Sequence, residues 1–164
     1  MDQHIARFLI YLQAEKNSSE HTVKNYSIDL RSFFAFTKDL PVEKVDYLEI
    51  RRFLASLNEK GFSKSSISRK LACLRSFFKF LVREGNLKEN PASSISTPKK
   101  DKKLPLFLEE KEISNLLDAP AADVKTEKRD KAILELLYSS GIRVSELVGL
   151  NIEDVDFFGE VLRV

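Results

Sequence analysis

The chain has 164 residues, of which 43% are hydrophobic and 32% charged, a composition typical of a globular protein with one core or two small ones. Its apolar runs are shorter than the roughly 20 residues that span a bilayer, and an acidic Asp2 stands where a signal peptide carries cations; no membrane partner and a cytoplasmic location are therefore expected. Cys73 is the only cysteine, which excludes a disulfide framework and a cysteine metal site.

The net charge of +2 hides an uneven distribution of charge along the chain. Residues 1–60 carry 9 cations and 9 anions, residues 61–103 carry 11 and 3, and residues 104–164 carry 7 and 13. The positive charge is thus concentrated in the middle of the chain, and this concentration favours a nucleic-acid partner.

Four amphipathic helices are predicted in the first 85 residues, where apolar side chains recur at helical spacing. They are predicted to span Gln3–Glu15, Glu20–Thr37, Tyr47–Lys60 and Ser65–Gly85. Ser18, Ser19 and Glu20 form a typical helix start, and Gly61 is a typical helix end. Helices joined by such short connections form one compact all-α unit. Its predicted core includes Phe8, Phe33, Phe34, Phe53, Phe77 and Phe78.

The polar side of the fourth helix mixes long cations with small residues and carries no acid before Glu84. It is predicted to comprise Ser65, Ser68, Arg69, Ala72, Arg75, Ser76, Lys79 and Arg83. Small residues let a helix lie close to a polyanion while the cations reach phosphates or base edges. The alternative is a solvated basic face. The predicted DNA contacts are Thr22, Lys24 and Asn25 on the second helix and Ser65, Ser66, Arg69, Arg75 and Lys79 on the fourth.

A linker is predicted after the fourth helix, where prolines interrupt the chain and cations cluster at residues 99–103. Such a stretch has no helical period and is typical of a domain boundary. The predicted organisation is a helical DNA-binding domain at 1–96, a linker at 97–105 and part of a second domain at 106–164. The cationic run is either a solvated tether or a segment that follows phosphates.

Three further helices are predicted at 108–118, 127–140 and 142–147, followed by the beginning of a strand and turn at 155–164, with Val161 and Arg163 alternating. No partner for this strand is visible in the sequence. Because a lone strand is marginal in water, we expect the sequence to stop inside its second domain. The acids Glu153, Asp154 and Asp156 are expected to cap turns or to lie in solvent, because no histidine accompanies them as a metal ligand.

Three stretches carry a family resemblance. The run RDKAILELLYSSGIRVSEL at 129–147 resembles the segment of tyrosine recombinases, the phage integrase family and especially its Xer group, that bears the first catalytic arginine. SEHTVKNY at 19–26 resembles the second helix of their core-binding domain, and Leu104-Pro105 resembles the entry to their catalytic domain. The implied fold class is mainly α: a four-helix SAM-like core-binding domain, then the first helices and first strand of a truncated α+β catalytic domain.

The resemblance implies a reaction in which a tyrosine hydroxyl attacks a DNA phosphodiester, gives a 3′-phosphotyrosyl intermediate and is later displaced by another strand. No metal or nucleotide cofactor is implied. Arg143 matches the first catalytic arginine, whose planar guanidinium can hold two phosphate oxygens, and Glu146 matches an acid that orients active-site groups. Backbone N–H groups at this short helix are expected to face the anion. The alternative is an ordinary i, i+3 surface pair.

The family's other catalytic residues are a β-turn lysine, a His-x-x-Arg motif, a further His or Trp, and the tyrosine nucleophile. All follow the first arginine, and none lies in this sequence, so the chain alone is expected to be inactive. His4 and His21 are expected to have surface or capping roles. The four tyrosines are expected in the core or at its boundary, not as nucleophiles; they are Tyr11, Tyr26, Tyr47 and Tyr138.

The function predicted for the parent protein is site-specific recombination of duplex DNA, with further recombinase protomers forming a tetramer on the DNA. Resolution of chromosome or plasmid dimers is the role that the likeness to the Xer group implies. One rival is a non-catalytic helical DNA-binding module. Another is a helical interaction domain whose basic face meets an acidic protein, and the salt dependence of DNA binding separates this rival from the others.

Overall fold

The structure is a computed structural model that describes residues 2–99, 104, 106–119 and 126–164. The chain divides into two compact units, Met1–Lys102 and Lys103–Val164. Most of the predicted cationic run, with Pro105 and Pro120, lies outside the described residues, so the linker at 97–105 stays a prediction. In the part of the chain that the structure describes, no helix has the length and apolar character needed to cross a membrane.

Four helices build the first unit, and each begins or ends within two residues of its prediction. They are α1 (Asp2–Ala14), α2 (Glu20–Phe36), α3 (Tyr47–Glu59) and α4 (Lys64–Arg83), with a short 3-10 helix at Val42–Lys44. Side-chain oxygens cap three of the helices: Ser19 Oγ accepts the Thr22 N–H of α2, and Asp46 and Ser63 do the same for α3 and α4. These caps satisfy N–H groups that have no partner inside the helix.

Aromatic side chains form the core of the first unit, as the sequence predicted. The six predicted phenylalanines are all buried. Phe77 of α4 lies at the centre, with its ring centroid 5.4 Å from Phe8 of α1 and 5.8 Å from Phe34 of α2. Phe33 meets Phe53 of α3 edge-on at 5.2 Å. Edge-on ring pairs add about 0.5–1.5 kcal/mol each to the free energy of burial, so these contacts tie all four helices together.

The segment after α4 contains no regular helix, yet it packs against the core. Ala92 and Ile95 are buried, and Arg75 of α4 holds them in place. Its Nε donates to the Ala92 carbonyl at 3.2 Å, Nη1 donates to Thr97 Oγ1 at 2.9 Å, and Nη2 donates to the Ile95 carbonyl. Asn90 Nδ2 returns a bond to the Arg75 carbonyl at 3.0 Å. The first unit therefore continues well past its last helix.

The described residues of the second unit form three helices and a small hairpin. They are α5 (Glu110–Leu117), α6 (Glu127–Ser140) and α7 (Val144–Gly149), then a 3-10 helix at Ile152–Asp154 and strands β1 (Val155–Asp156) and β2 (Val161–Leu162). The strands are antiparallel, with Val155 opposite Leu162. The prediction that the final strand has no partner is therefore wrong: its partner is a two-residue strand too short to show a sequence period. None of the described side chains in this unit is buried.

Two of the acids near the hairpin cap turns, as predicted. Asp154 accepts the Asn151 N–H at 2.8 Å, and Asp156 Oδ1 accepts the N–H groups of Phe158 and Gly159 at 3.1 and 2.9 Å. A Cβ at position 159 would lie 2.7 Å from Asp156 Oδ2, so any larger residue there would displace the carboxylate that caps the turn. Among the described residues, no group of three or more His, Cys, Asp or Glu side chains could hold a metal ion.

Arg75→Ala should detach the Ala92–Thr97 segment, because two backbone carbonyls and a hydroxyl lose their donor at once. We expect a loss of about 2 kcal/mol in the free energy of unfolding, since hydrogen bonds from charged groups are worth about 1.5–3 kcal/mol. Urea unfolding followed by tyrosine fluorescence reports mainly on the first unit, because three of the chain's four tyrosines lie there and it has no tryptophan.

Hydrogen exchange at Ala92–Thr97 should become faster in the same variant. Lys79→Ala is the matched control, because Lys79 is an exposed cation one turn further along α4. Equal stability and equal exchange in the two variants would show that Arg75 does not hold the segment.

Candidate nucleic-acid interface and catalytic arginine

One side of α4 carries exposed cations separated by small residues. We call it the α4 stripe; its members are Ser65, Arg69, Ala72, Ser76, Lys79 and Arg83, spaced so that they lie above one another along the helix. Five are exposed and Ser76 is half-buried. The stripe contains three cations and no acid. Its small members leave the helix backbone open to close approach by a large flat ligand.

The first turns of α2 are joined to the α4 stripe through an ion pair. Thr22, Asn25 and Asp29 follow one another at helical spacing on α2, and Asp29 Oδ2 accepts a hydrogen bond from Arg69 Nη1. Lys24 is exposed beside them. The ion pair thus joins the start of the α4 stripe to the side of α2 that carries Thr22 and Asn25.

Asp29 is a buried, ion-paired residue at this surface that the sequence pattern did not indicate. Its side chain is 1% exposed, and its Oδ1 accepts a bond from Lys70 Nζ at 2.8 Å while its Oδ2 takes the bond from Arg69. The signal was present but weak: an acid stands among apolar residues of α2, between Tyr26 and Leu30. A buried carboxylate needs a charged partner, and that partner comes from another helix 40 residues away.

Two residues assigned to the polar side of α4, Ser68 and Arg75, use their polar groups within the protein, and the predicted DNA contact Ser66 makes one bond at the helix start. Ser68 was predicted to be exposed, and this is wrong: it is 8% exposed, and its hydroxyl donates to the Lys64 carbonyl at 2.7 Å. The guanidinium of Arg75 is held by the Ala92–Thr97 segment. The Ser66 hydroxyl shares a hydrogen bond of 2.9 Å with Ser63 at the helix start. The surface open to a ligand is therefore narrower than the sequence pattern indicated.

The end of the α4 stripe borders a groove of about 670 Å³ between α1, α4 and the following segment. The Arg83 guanidinium lies 4.1 Å from the centre of the Tyr11 ring and pairs with Glu15 at 3.0 Å. The hydrogen bond to Glu15 raises the pKa of Arg83. Arg83 is thus compensated within the first unit. Lys79, also at this groove, makes no ion pair among the described residues, so the uncompensated charge of the stripe lies there.

Arg143 stands between a helix end and a helix start. Gly141 ends α6 in a left-handed conformation, with φ of 66°, and its N–H donates to the Leu137 carbonyl at 3.0 Å. This conformation is easily adopted only by glycine. Two residues later, Arg143 precedes α7, and its side chain is 81% exposed. The sharp change of direction at Gly141 thus presents the arginine to the outside of the second unit.

Glu146 holds Arg143 at two points. Its Oε2 accepts the Arg143 backbone N–H at 2.7 Å, and its Oε1 accepts a bond from Nη1 at 2.6 Å. The bond from the Arg143 backbone N–H is the larger cause of the lowered pKa of Glu146, and the bond from the Arg143 side chain is the next. The i, i+3 pair that the sequence left as the alternative therefore forms, and Nε and Nη2 of the guanidinium have no acceptor among the described residues. The Arg143 N–H is taken by Glu146, and the expectation that N–H groups at the start of α7 face an anion stays a prediction.

The histidines and two of the four tyrosines lie where the sequence placed them, whereas Tyr47 is 38% exposed. His21 is exposed and His4 half-buried, while Tyr11 and Tyr26 pack against the core. Burial raises the pKa of Tyr26 and also that of Cys73, whose thiol donates to the Tyr26 carbonyl at 3.6 Å. Tyr138 departs from its prediction as a core or boundary residue, because it is 60% exposed.

Two family models match the chain. Residues 5–85 match the phage integrase N-terminal SAM-like domain, and residues 106–164 match the phage integrase family. The first match covers the four helices with the α4 stripe, and the second includes Arg143 and Glu146.

Curated relatives resemble nearly the whole chain. A protein of Halalkalibacterium halodurans named tyrosine recombinase XerC is 46% identical over 94% of this chain and 52% of its own length. A protein of the same name from Thermodesulfovibrio yellowstonii is 47% identical over 98% of this chain and 53% of its own length. The chain thus spans about half the length of the curated relatives it matches.

Solved structures share the fold. A lambda integrase dimer bound to a COC′ core site matches with a TM-score of 0.75 and 19% identity, over 95% of this chain and 43% of that chain.

Arg143→Ala should raise the pKa of Glu146 without returning it to the ordinary value for a glutamate. The variant removes the side-chain bond but keeps the backbone N–H of residue 143, which is the larger cause of the lowered pKa. The carboxyl chemical shift of Glu146, followed by NMR through an acid titration, gives both midpoints. A midpoint unchanged from the parent, or one fully restored to the ordinary glutamate value, would contradict the two-point contact.

Proposed function

We propose that the whole protein is a site-specific DNA recombinase, because this chain belongs to the phage integrase family of tyrosine recombinases. In this proposal the first unit binds duplex DNA and the second unit supplies part of the catalytic site. The longer protein works in the cytoplasm on a specific recombination site, with other recombinase protomers assembled on the same DNA. Resolution of joined chromosomes or plasmids is the proposed biological role.

The observation that carries the DNA-binding role is the α4 stripe. All the charged residues of the stripe are cations, and its small residues leave room for the DNA backbone or a base edge. Thr22, Lys24 and Asn25 flank it from α2, and the Asp29–Arg69 pair joins the two helices. In the proposed complex Lys24 and Lys79 contact phosphates, Thr22, Asn25, Ser65 and Ser66 contribute polar contacts, and Arg69 reaches base edges. Arg75 supports this surface by holding the segment beneath it.

The catalytic role proposed for Arg143 is to bind the oxygens of the phosphate under attack. A tyrosine oxygen bonds to phosphorus, the bond to the 5′ oxygen of the DNA breaks, and the 5′ hydroxyl leaves with a proton. A second strand's 5′ hydroxyl then reverses the step. Negative charge on the phosphate oxygens grows along this path, and a planar guanidinium that stays charged at neutral pH stabilises it. Glu146 is proposed to orient Arg143, while Nε and Nη2 remain for the phosphate.

Substitution of Lys79 should weaken DNA binding and reduce its dependence on salt. Removing one contact to a phosphate lowers the slope of log K against log salt by about 0.9, so Lys79→Ala and Lys24→Ala should each show such a change, and the double variant twice the change. Lys60→Ala is the matched control, because Lys60 is an exposed cation at the end of α3. Fluorescence anisotropy with a labelled duplex, measured across a salt series, provides the slopes.

The DNA-binding proposal requires the two interface variants to differ from the control. If all three variants show the parent's affinity and salt slope, the interface lies elsewhere. If the parent has no affinity for duplex DNA at low salt, the rival of a helical protein-interaction domain is favoured.

Arg143→Ala in the whole protein should abolish most covalent joining while DNA binding is kept. A nicked duplex traps the phosphotyrosyl adduct, which denaturing gels resolve, and loss of one preorganised charge commonly lowers rate about 10²–10³-fold. Arg143→Lys should also perform poorly, because an ammonium cannot offer two parallel donors. The 164-residue chain by itself should bind DNA and form no adduct. Adduct formation by this chain, or full adduct formation by Arg143→Ala, would overturn the assignment.

A further inference from the structure

The ion cluster between α2 and α4 consists of Asp29, Arg69 and Lys70. It contains one more cation than is needed to neutralise the buried Asp29 carboxylate. Asp29 is 1% exposed and Lys70 is 7% exposed, with 2.8 Å between Oδ1 and Nζ. This contact alone pairs one buried anion with one buried cation, as burial of charge requires. Arg69 nevertheless reaches in to Oδ2 of the same carboxylate, although its own side chain is 42% exposed. The neutralisation of Asp29 therefore does not explain the contact to Arg69.

The contact restricts the guanidinium of Arg69. An exposed arginine on a helix ordinarily samples many rotamers, and it loses that freedom when it binds a ligand. Here Nη1 is held by a carboxylate that is itself fixed by a second ion pair and by the core around it. The remaining N–H groups of the guanidinium stay available at the surface, next to Ser65 and Ala72 of the α4 stripe.

A restrained arginine and a mobile one select different features of DNA. A mobile arginine moves to the nearest phosphate, and this contact carries no sequence information. A restrained guanidinium in the second turn of a helix that lies in the groove can instead offer paired donors to the O6 and N7 atoms of guanine, the most common specific contact in the major groove. The presence of the Asp29 contact therefore matters more for discrimination between sequences than for total affinity.

We infer that Asp29 is a positioning residue for sequence recognition: it holds Arg69 so that its free donors meet a base edge and not a phosphate. This role rests on the proposed function of the first unit as a DNA-binding domain. In this role, one sequence-specific contact to DNA depends on a side chain that is buried and cannot touch DNA itself.

The variants must separate this role from simple loss of folding. Asp29→Asn alone would leave the Lys70 ammonium buried without a counter-charge, so it is not informative. Asp29→Asn combined with Lys70→Met removes both buried charges and approximately preserves shape. Lys70→Met alone is the matched control, since it keeps the Asp29–Arg69 pair. Urea unfolding of each variant confirms that the first unit remains folded before DNA is added.

The measurement is the ratio of affinities for a preferred duplex and for a scrambled duplex of equal composition. The preferred duplex is first obtained by enrichment from random sequences with the parent chain. The double variant should lower this ratio about 5–100-fold, the range expected for one bidentate base contact, with affinity for the scrambled duplex within twofold of the parent. Lys70→Met should keep the ratio within twofold. Arg69→Ala should lower it as the double variant does.

A fourth variant tests whether Asp29 acts through Arg69. Adding Asp29→Asn and Lys70→Met to Arg69→Ala should lower the ratio no further, because the positioned group is already absent. The positioning role would be overturned if these two substitutions lowered the affinity ratio in the Arg69→Ala background as much as they do in the parent. It would also be overturned if the Asp29→Asn, Lys70→Met variant kept the parent's ratio. Either result would leave the DNA-binding proposal intact. Failure of the parent to bind duplex DNA or to enrich any sequence would instead refute both.

Discussion

The first unit depends on α4, which must complete the core and present a polar surface at the same time. Half of its 20 residues are buried, and the Phe77 ring alone contacts aromatic side chains of α1, α2 and α4 itself. So much burial leaves only a narrow stripe in solvent. Every cation of α4 outside that stripe needs a partner inside the protein, because an unpaired charge that is even partly buried is costly.

The partners of these cations explain how the rest of the unit is assembled. Asp29 of α2 pairs with Lys70, and the carbonyls of the segment after α4 receive Arg75. At the far end of the stripe, Arg83 is held by Glu15 and the Tyr11 ring of α1. Each contact fixes one neighbouring element against α4. Among the described cations of the α4 stripe, Lys79 makes no ion pair and Arg69 keeps a half-exposed guanidinium, and for this reason the proposed interface is assigned to them.

The second unit follows a different physical principle, because its main feature is local. Gly141, Arg143 and Glu146 lie within six residues, and the turn, the helix start and the ion pair all arise among neighbours in sequence. No packing against distant side chains is needed to bring Glu146 to Arg143. This arrangement therefore forms although none of the described side chains in the unit is buried.

The sequence by itself determined the helices, the phenylalanine core and the Arg143–Glu146 pair, because each depends on residues one to four positions apart or on a strong apolar period. The tertiary structure alone decided which cations are free. Asp29 with Arg69 and Arg75 with Ile95 are contacts between residues 40 and 20 positions apart, and no period in the sequence encodes them. The pairing of β1 with β2 was missed for a related reason, because two residues are too few to show an alternation.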